Sequence, residues 1–176
     1  MVCRFLSGLG CAAVLMTPAF AGDWTQWRGP NHNNIAEAGQ SVPVEWSESK
    51  NVLWKADVPG RGHSTPIVFG KLVVLTSADE RGQTQAVLAF DRKTGKQLWL
   101  TEYPVEYTVS YPAGPRCTPT VDGDMVYTLG AMGDLKALKV TDGKEVWSKD
   151  FMKGYDAGLP VWGFSAHPLV DGDKLI

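Results

Sequence analysis

The residues that could do chemistry in this sequence are few and widely spaced. His32, His63 and His167 show no ligand spacing such as His-x-x-x-His, so a local metal site has little support. Asp122-x-Asp124 and Asp171-x-Asp173 are carboxylate pairs of the kind that hold calcium. Both lack EF-hand spacing and its closing glutamate, and both read as hairpin turns. Gly60-Arg61-Gly62 lacks the third glycine and following helix of a dinucleotide loop, so it reads as a connector. Neither G-x-S-x-G nor a phosphate-binding P-loop occurs, and no triad or dyad supports a hydrolase. No catalytic residue and no metal ligand is assigned. What remains is positional: His63, Arg116 and Ser165 each stand three residues before a proline, at Pro66, Pro119 and Pro168. Two aromatic stretches, Tyr103 to Pro115 and Gly154 to Phe164, carry Tyr107, Tyr111 and Trp162. These aromatics form a candidate partner surface, since such residues concentrate at binding hot spots, or else simply a cover for the fold.

Those residues sit on a repeating frame. Ala89 to Trp99 (AFDRKTGKQLW) aligns without a gap to Ala137 to Trp147 (ALKVTDGKEVW), each with a Gly-Lys turn at Gly95 and Gly143 before its tryptophan. Upstream, Thr65 to Gly70 matches Thr118 to Gly123, and His167 to Gly172 begins a third copy. The prolines lie 53 and 49 residues apart, and Trp54, Trp99 and Trp147 lie 45 and 48 apart. A period in the high forties belongs to propeller blades rather than helical solenoids.

Each unit reads as four strands. In the second these are Cys117 to Val121, Met125 to Leu129, Leu135 to Val140 and Val146 to Lys149, and the first runs from Ser64 to Glu102. Glycine marks the tight turns, at Gly70, Gly123 and Gly172, because short hairpins need positive φ. The near-continuous apolar run Leu72-Val73-Val74-Leu75 fits a sheet covered on both faces. No convincing helical period follows residue 21, so the fold class is all-β. The tryptophan beginning each fourth strand is expected to cover the joint between units, its N–H reaching a backbone carbonyl. On that basis Trp99 and Trp147 should be buried and Trp54, with no complete unit before it, more exposed.

Lys+Arg 17 against Asp+Glu 19 gives a net charge of -2, which speaks against a nucleic-acid binder. Hydrophobic residues at 44% exclude wholesale disorder. Met1 to Ala21 reads as a secretory signal peptide, with Arg4, an apolar run from Phe5 to Met16 and the small-x-small site Ala19-Phe20-Ala21. The apolar run is too short for a membrane span of about 20 residues. Lipidation at Cys11 is the competing outcome, with Gly8 standing where a leucine is usual. The expected organisation is a signal peptide at 1–21, an N-terminal segment at 22–50 and a partial propeller at 51–176. The expected location is the periplasm or the extracellular space, with no membrane span after cleavage. Cleavage would remove Cys3 and Cys11 and leave Cys117 without a disulfide partner, as a small buried strand residue.

The form Ala-x-Asp-x-x-Thr-Gly-Lys-x-x-Trp, complete in Ala89 to Trp99, resembles the repeat of the pyrroloquinoline-quinone-type (PQQ-like) β-propellers. That family includes quinoprotein dehydrogenases and the propeller lipoprotein of the bacterial outer-membrane assembly machine. The second repeat departs at Lys139 and Asp142, where the family prefers Asp and Thr. Asp23 to Pro30 (DWTQWRGP) looks like the start of secreted bacterial members. The resemblance implies four-stranded blades with the first strand innermost: two full blades, a leading strand at Asn51 to Val58 and the start of a third. Propellers close with roughly 4 to 8 blades, so the chain reads as the N-terminal portion of a longer protein. With the first strand innermost, His63, Arg116 and Ser165 gather at one mouth of the channel, to bind an anion or a polar ligand, or stand there as solvated loop ends. The favoured function is an exported binding or scaffold propeller without catalysis, its partner a protein or small polar ligand. The alternative is a PQQ-dependent dehydrogenase with quinone and calcium in the channel, though the adjacent cysteine pair used by many such enzymes is absent. Outside that alternative no cofactor is expected.

Overall fold

Local strand pairing builds nearly everything in the computed structural model, which describes residues 22–40, 42–112 and 114–176. The segment expected to be a signal peptide, with Cys3 and Cys11, lies outside the described residues. In the first unit β1 (Ile67–Phe69), β2 (Leu72–Ala78), β3 (Thr84–Asp91) and β4 (Gln97–Pro104) form an antiparallel sheet in chain order. In the second, β5 (Thr120–Asp122), β6 (Met125–Leu129), β7 (Asp134–Lys139) and β8 (Glu145–Asp150) do the same. A five-residue helix, α1 (Phe151–Tyr155), follows, and β9 (Val170–Asp171) pairs with β10 (Lys174–Leu175) as a third hairpin. The fold is all-β, with two four-stranded antiparallel blades and the beginning of another unit. Among the described residues no helix is long and apolar enough to cross a membrane.

Helix α1 was not legible as a period because it is a single capped turn. The Asp150 carboxylate accepts from the Lys153 N–H, and Asp156 ends it in the left-handed conformation. Asn51 to Val58 forms no strand. It nevertheless covers the outer face of the first blade, where Ala56 packs on the cluster of Ala86, Leu88 and Phe90. The opposite face of that sheet meets the second blade through Ile67, Val74, Val87, Ala89 and Trp99 against Val121, Val126 and Leu138. Both faces of β3 are therefore covered, and six consecutive residues of it are buried. Burial on both faces supplies most of the stabilisation available to so short a strand.

The repeat geometry is closely matched. Trp99 pairs with Ala89 and Trp147 with Ala137, each beside an irregularity of register. Trp99 is 8% exposed and donates Nε1–H to the Val140 carbonyl at 3.0 Å. Trp54 donates to Arg92 O at 2.9 Å. Each carbonyl lies three residues before the turn glycine, and the indole rests on that glycine. A methyl group at Gly95 would approach the Trp54 ring to 2.6 Å, and one at Gly143 the Trp99 ring to 2.5 Å. Their φ values of 72° and 70° add a second requirement for glycine. Each tryptophan thus reaches forward to the next unit's outer turn. Trp99 is buried and Trp54 more exposed than it, as expected, but Trp147 is not buried. Trp54 has its partner and is half-buried, while Trp147 is also only half-buried, because no turn among the described residues meets it.

Residues 23–27 cross the inner strands. Trp24 exchanges backbone hydrogen bonds with Val68 at 2.7 and 2.9 Å, and Thr25 O accepts from Val121 N–H at 2.8 Å. Asp23 accepts from Gly70 N–H at 3.0 Å and pairs with Arg92 at 3.3 Å. Trp27 stacks on His167 with ring centroids 4.5 Å apart. One extended segment therefore touches all three units and pairs with strand edges that would otherwise be open.

Candidate functional site

The segments leading into β1 and β5 are held side by side. His63 N–H donates to Pro115 O at 2.8 Å, and Thr65 N–H to Thr118 Oγ1 at 3.2 Å. The next step repeats the arrangement, since Thr118 N–H donates to His167 Nδ1 at 2.8 Å and Thr120 Oγ1 to Pro168 O at 2.5 Å. This sewing brings His63 beside Arg116 although they are far apart in sequence.

Between β4 and β5 the chain forms a loop that Arg116 organises. Its Nη1 donates to Gly114 O, and its Nη2 to Tyr107 OH at 2.9 Å and Pro112 O at 3.2 Å. The guanidinium carbon lies 5.8 Å from the Tyr107 ring centroid and 5.6 Å from that of Tyr111, within cation–π range. Tyr107 OH in turn donates to Tyr111 O at 2.9 Å. Val109, within the loop, is buried. From the third unit, Trp162 arrives on a turn closed by Gly163 N–H to Pro160 O at 2.8 Å and docked by Phe164 N–H to Ala131 O at 2.8 Å. Tyr111 and Trp162 meet edge to face, with centroids 5.0 Å apart and planes at 86°. The His63 ring centroid lies 5.8 Å from that of Tyr111, with the planes tilted at 48°.

His63, Tyr111, Arg116 and Trp162 line one open cavity of about 390 Å³. The cleft thus unites two residues of the channel-mouth set with two of the aromatic set, and Tyr107 stands behind them. Ser165 is exposed and does not line it. The Trp162-Gly163 turn puts an indole, not the serine, at that position. Arg116 is half-buried and turned into its own loop, so it positions Tyr107 and Tyr111 more than it faces solvent.

Several groups that spacing did not reveal lie elsewhere. Gln85, fully buried, accepts from Tyr103 OH at 3.2 Å between the blades, while its Nε2 and the nearby Asp134 Oδ2 have no partner among the described residues. Burial, then the charge of Asp150, raises the Asp134 pKa, and burial raises that of the Tyr103 phenol. Lys136 sits 4.5 Å from the Tyr103 centroid and pairs with Glu145 at 2.7 Å. A polar residue within an apolar run, Gln85, was the available signal. Burial lowers the His167 pKa below the usual histidine value, and its Nδ1 accepts rather than donates. Cys117 is fully buried and burial pushes its thiol up to about 12, so it is an unreactive packing group. On the uncovered face of the second blade, Leu129, Trp147, Phe151, Tyr155 and Leu175 border an apolar groove of about 580 Å³.

Residues 33–175 match the family model described as outer membrane protein assembly factor BamB. Among solved structures, BamB from Moraxella catarrhalis is 18% identical with a TM-score of 0.51, over 68% of this chain and 34% of its own. A quinohemoprotein alcohol dehydrogenase from Comamonas testosteroni is 20% identical with a TM-score of 0.50, over 70% of this chain and 18% of its own. At such identities the likeness is one of fold. The chain spans about a third of the first protein and less than a fifth of the second. No curated protein matches significantly.

Proposed function

The chain belongs to the PQQ-like propeller family of the outer membrane protein assembly factor BamB, and from that premise we propose that it is an exported binding or scaffold module without catalysis of its own. The observation that carries this reading is the cleft. His63, Tyr111, Arg116 and Trp162 come from separate places in the repeat and meet at the entrance to the inner strands. Tyr111 and Trp162 are 43% and 62% exposed although they touch one another. An exposed aromatic corner held by an organised loop is a recognition surface.

The lining favours binding over bond-making. None of the four residues is a carboxylate, so the His63 imidazole, the candidate base in the lining, has no acidic partner there to orient it. The residues described supply no assembled set for the quinone and calcium of the alternative reading. No three His, Cys, Asp or Glu side chains among them converge to hold a cation. Asp122 and Asp124 flank a hairpin turn, and Cys117 keeps its proton.

The test has two arms. The whole reading frame is expressed with its leader, and a photo-crosslinker is placed at Tyr111. A discrete adduct in the exported fraction, lost in Trp162→Ala, supports the binding reading, and the mature N-terminus read by mass spectrometry should be Gly22. In the second arm, purified protein is given calcium and pyrroloquinoline quinone. Dye-linked dehydrogenase turnover that depends on the quinone would overturn the reading.

A further inference from the structure

The hydrogen-bonding inventory of the cleft is weighted toward donors, and this helps to select among ligand classes. Arg116 directs both Nη atoms to Gly114 O, Pro112 O and Tyr107 OH, and its charge lies against two aromatic rings. The bidentate face that would grip a phosphate or carboxylate is thus engaged within the loop. Trp162 Nε1–H, Tyr111 OH and the His63 ring make no hydrogen bond to any described residue, and no carboxylate or carboxamide lines the cavity. A sugar, each of whose hydroxyls both donates and accepts, would find side-chain acceptors there only at the Tyr111 oxygen and the His63 ring. A strand-adding peptide needs open edges, but those at Val68 and Val121 are occupied by Trp24 and Thr25.

A donor-bearing cleft bounded by perpendicular aromatic rings suits one kind of chain. A polyproline II segment is extended, carries no internal hydrogen bonds and presents carbonyl acceptors, and each proline in it lacks an N–H to satisfy. Its rings pack in aromatic-lined grooves with little ordering cost, because the conformation is already formed. We propose that this cleft docks a proline-rich polyproline II segment of a partner protein. The prolines seat in the corner between Tyr111 and Trp162, and neighbouring carbonyls accept from Trp162 Nε1–H and Tyr111 OH. Arg116 is a positioning residue, holding the Tyr111 wall upright. The proposal names the ligand class for the binding reading given above and rests on it.

The exposed indole of Trp162 supplies a reporter. The protein is titrated with a ten-residue polyproline peptide, an Asp/Glu-rich decapeptide and a soluble hexasaccharide, following tryptophan fluorescence and calorimetry. Saturable binding of the polyproline peptide is expected, weakened about tenfold or more in Trp162→Ala and in Tyr111→Ala, with unchanged thermal unfolding of both variants as the folding control. Trp162→Phe, which keeps a ring but removes the N–H, should fall between. Polyproline affinity that ignores all three substitutions would overturn the assignment of the site. Trp162-dependent binding of the acidic peptide or saccharide alone would overturn the ligand class and leave the binding module standing. Failure of every probe together with absence of any crosslink at Tyr111 would overturn both.

Discussion

The two complete blades share a plan and differ in what lies beyond them. In the first, the outer turn at Gly95 is covered by Trp54 and the inward face of the sheet by the second blade. In the second, the turn at Gly143 is covered by Trp99, but Trp147 looks onto an open groove. The turns differ too. Asp91 accepts from the N–H of Lys93 and Thr94 and from the Thr94 hydroxyl, and these bonds hold its pKa low. Lys139 stands in its place in the second blade, where Asp142 instead accepts from Lys144 N–H. A residue that closes the turn can thus move along it without changing the backbone, provided the glycine stays. What cannot move is the indole-on-glycine contact, so a blade's stability depends on its successor.

The comparison would be broken most sharply at Trp99. Trp99→Ala removes a buried indole, its hydrogen bond and a wall of the inter-blade core, and should cost about 3–5 kcal/mol in urea unfolding. A loss as small as that of a surface substitution would refute the joint. The next largest effect separates space from backbone. Gly143→Ala and Gly123→Ala both place alanine at positive φ, at about 1–2 kcal/mol each. Only Gly143→Ala also drives a methyl into an indole, whereas Gly123 has open space around it. Gly143→Ala should therefore be clearly the worse of the two, and equal losses would remove the packing argument. Trp147→Ala should cost less than Trp99→Ala, about 1–2 kcal/mol, since its ring is half-buried and has no carbonyl partner among the described residues. The smallest effect is one of pH. Because burial depresses the His167 pKa below 6.5, the unfolded chain takes up the proton first. Stability should fall as pH drops from about 6.5 through the lower folded value. His167→Gln should flatten that part of the profile, and an unchanged slope would show that His167 does not report on the inner seam.

Within a unit, nearly everything was legible. The Gly-Lys turns, the prolines and the tryptophans repeat because each blade satisfies its own backbone, and that periodicity is printed in one stretch of chain. Strand ends moved by one to three residues, as for β5, which begins at Thr120 rather than Cys117, because terminal pairing depends on neighbours. Relations between units were harder to read. The tryptophan spacing revealed a joint but not its direction, since forward and backward packing leave the same interval. His63, Arg116, Tyr111 and Trp162 were each singled out, but from two separate arguments. Their meeting depends on backbone bonds such as His63 to Pro115 that leave no mark on residue type. Ser165 shared the register of His63 and Arg116 yet missed the cleft, because the turn before it projects Trp162 instead. Arg116 was read as a charge for a ligand, whereas the local carbonyls engage it first.

The segment at residues 23–27 has a consequence for the order in which the molecule assembles. Each blade is a meander of neighbouring strands, so its pairing closes short loops and can form quickly. The contacts of Trp24 with Val68, Thr25 with Val121 and Trp27 with His167 close progressively longer ones. They exist only after each successive unit has taken shape. The last of them waits for the third hairpin, so a chain delivered N-terminus first would carry its own fastening strip from the outset and use it at the end. The inner edge at Val68 is thus covered first and that at Val121 second, so the amide of Val121 should gain protection from exchange later than that of Val68.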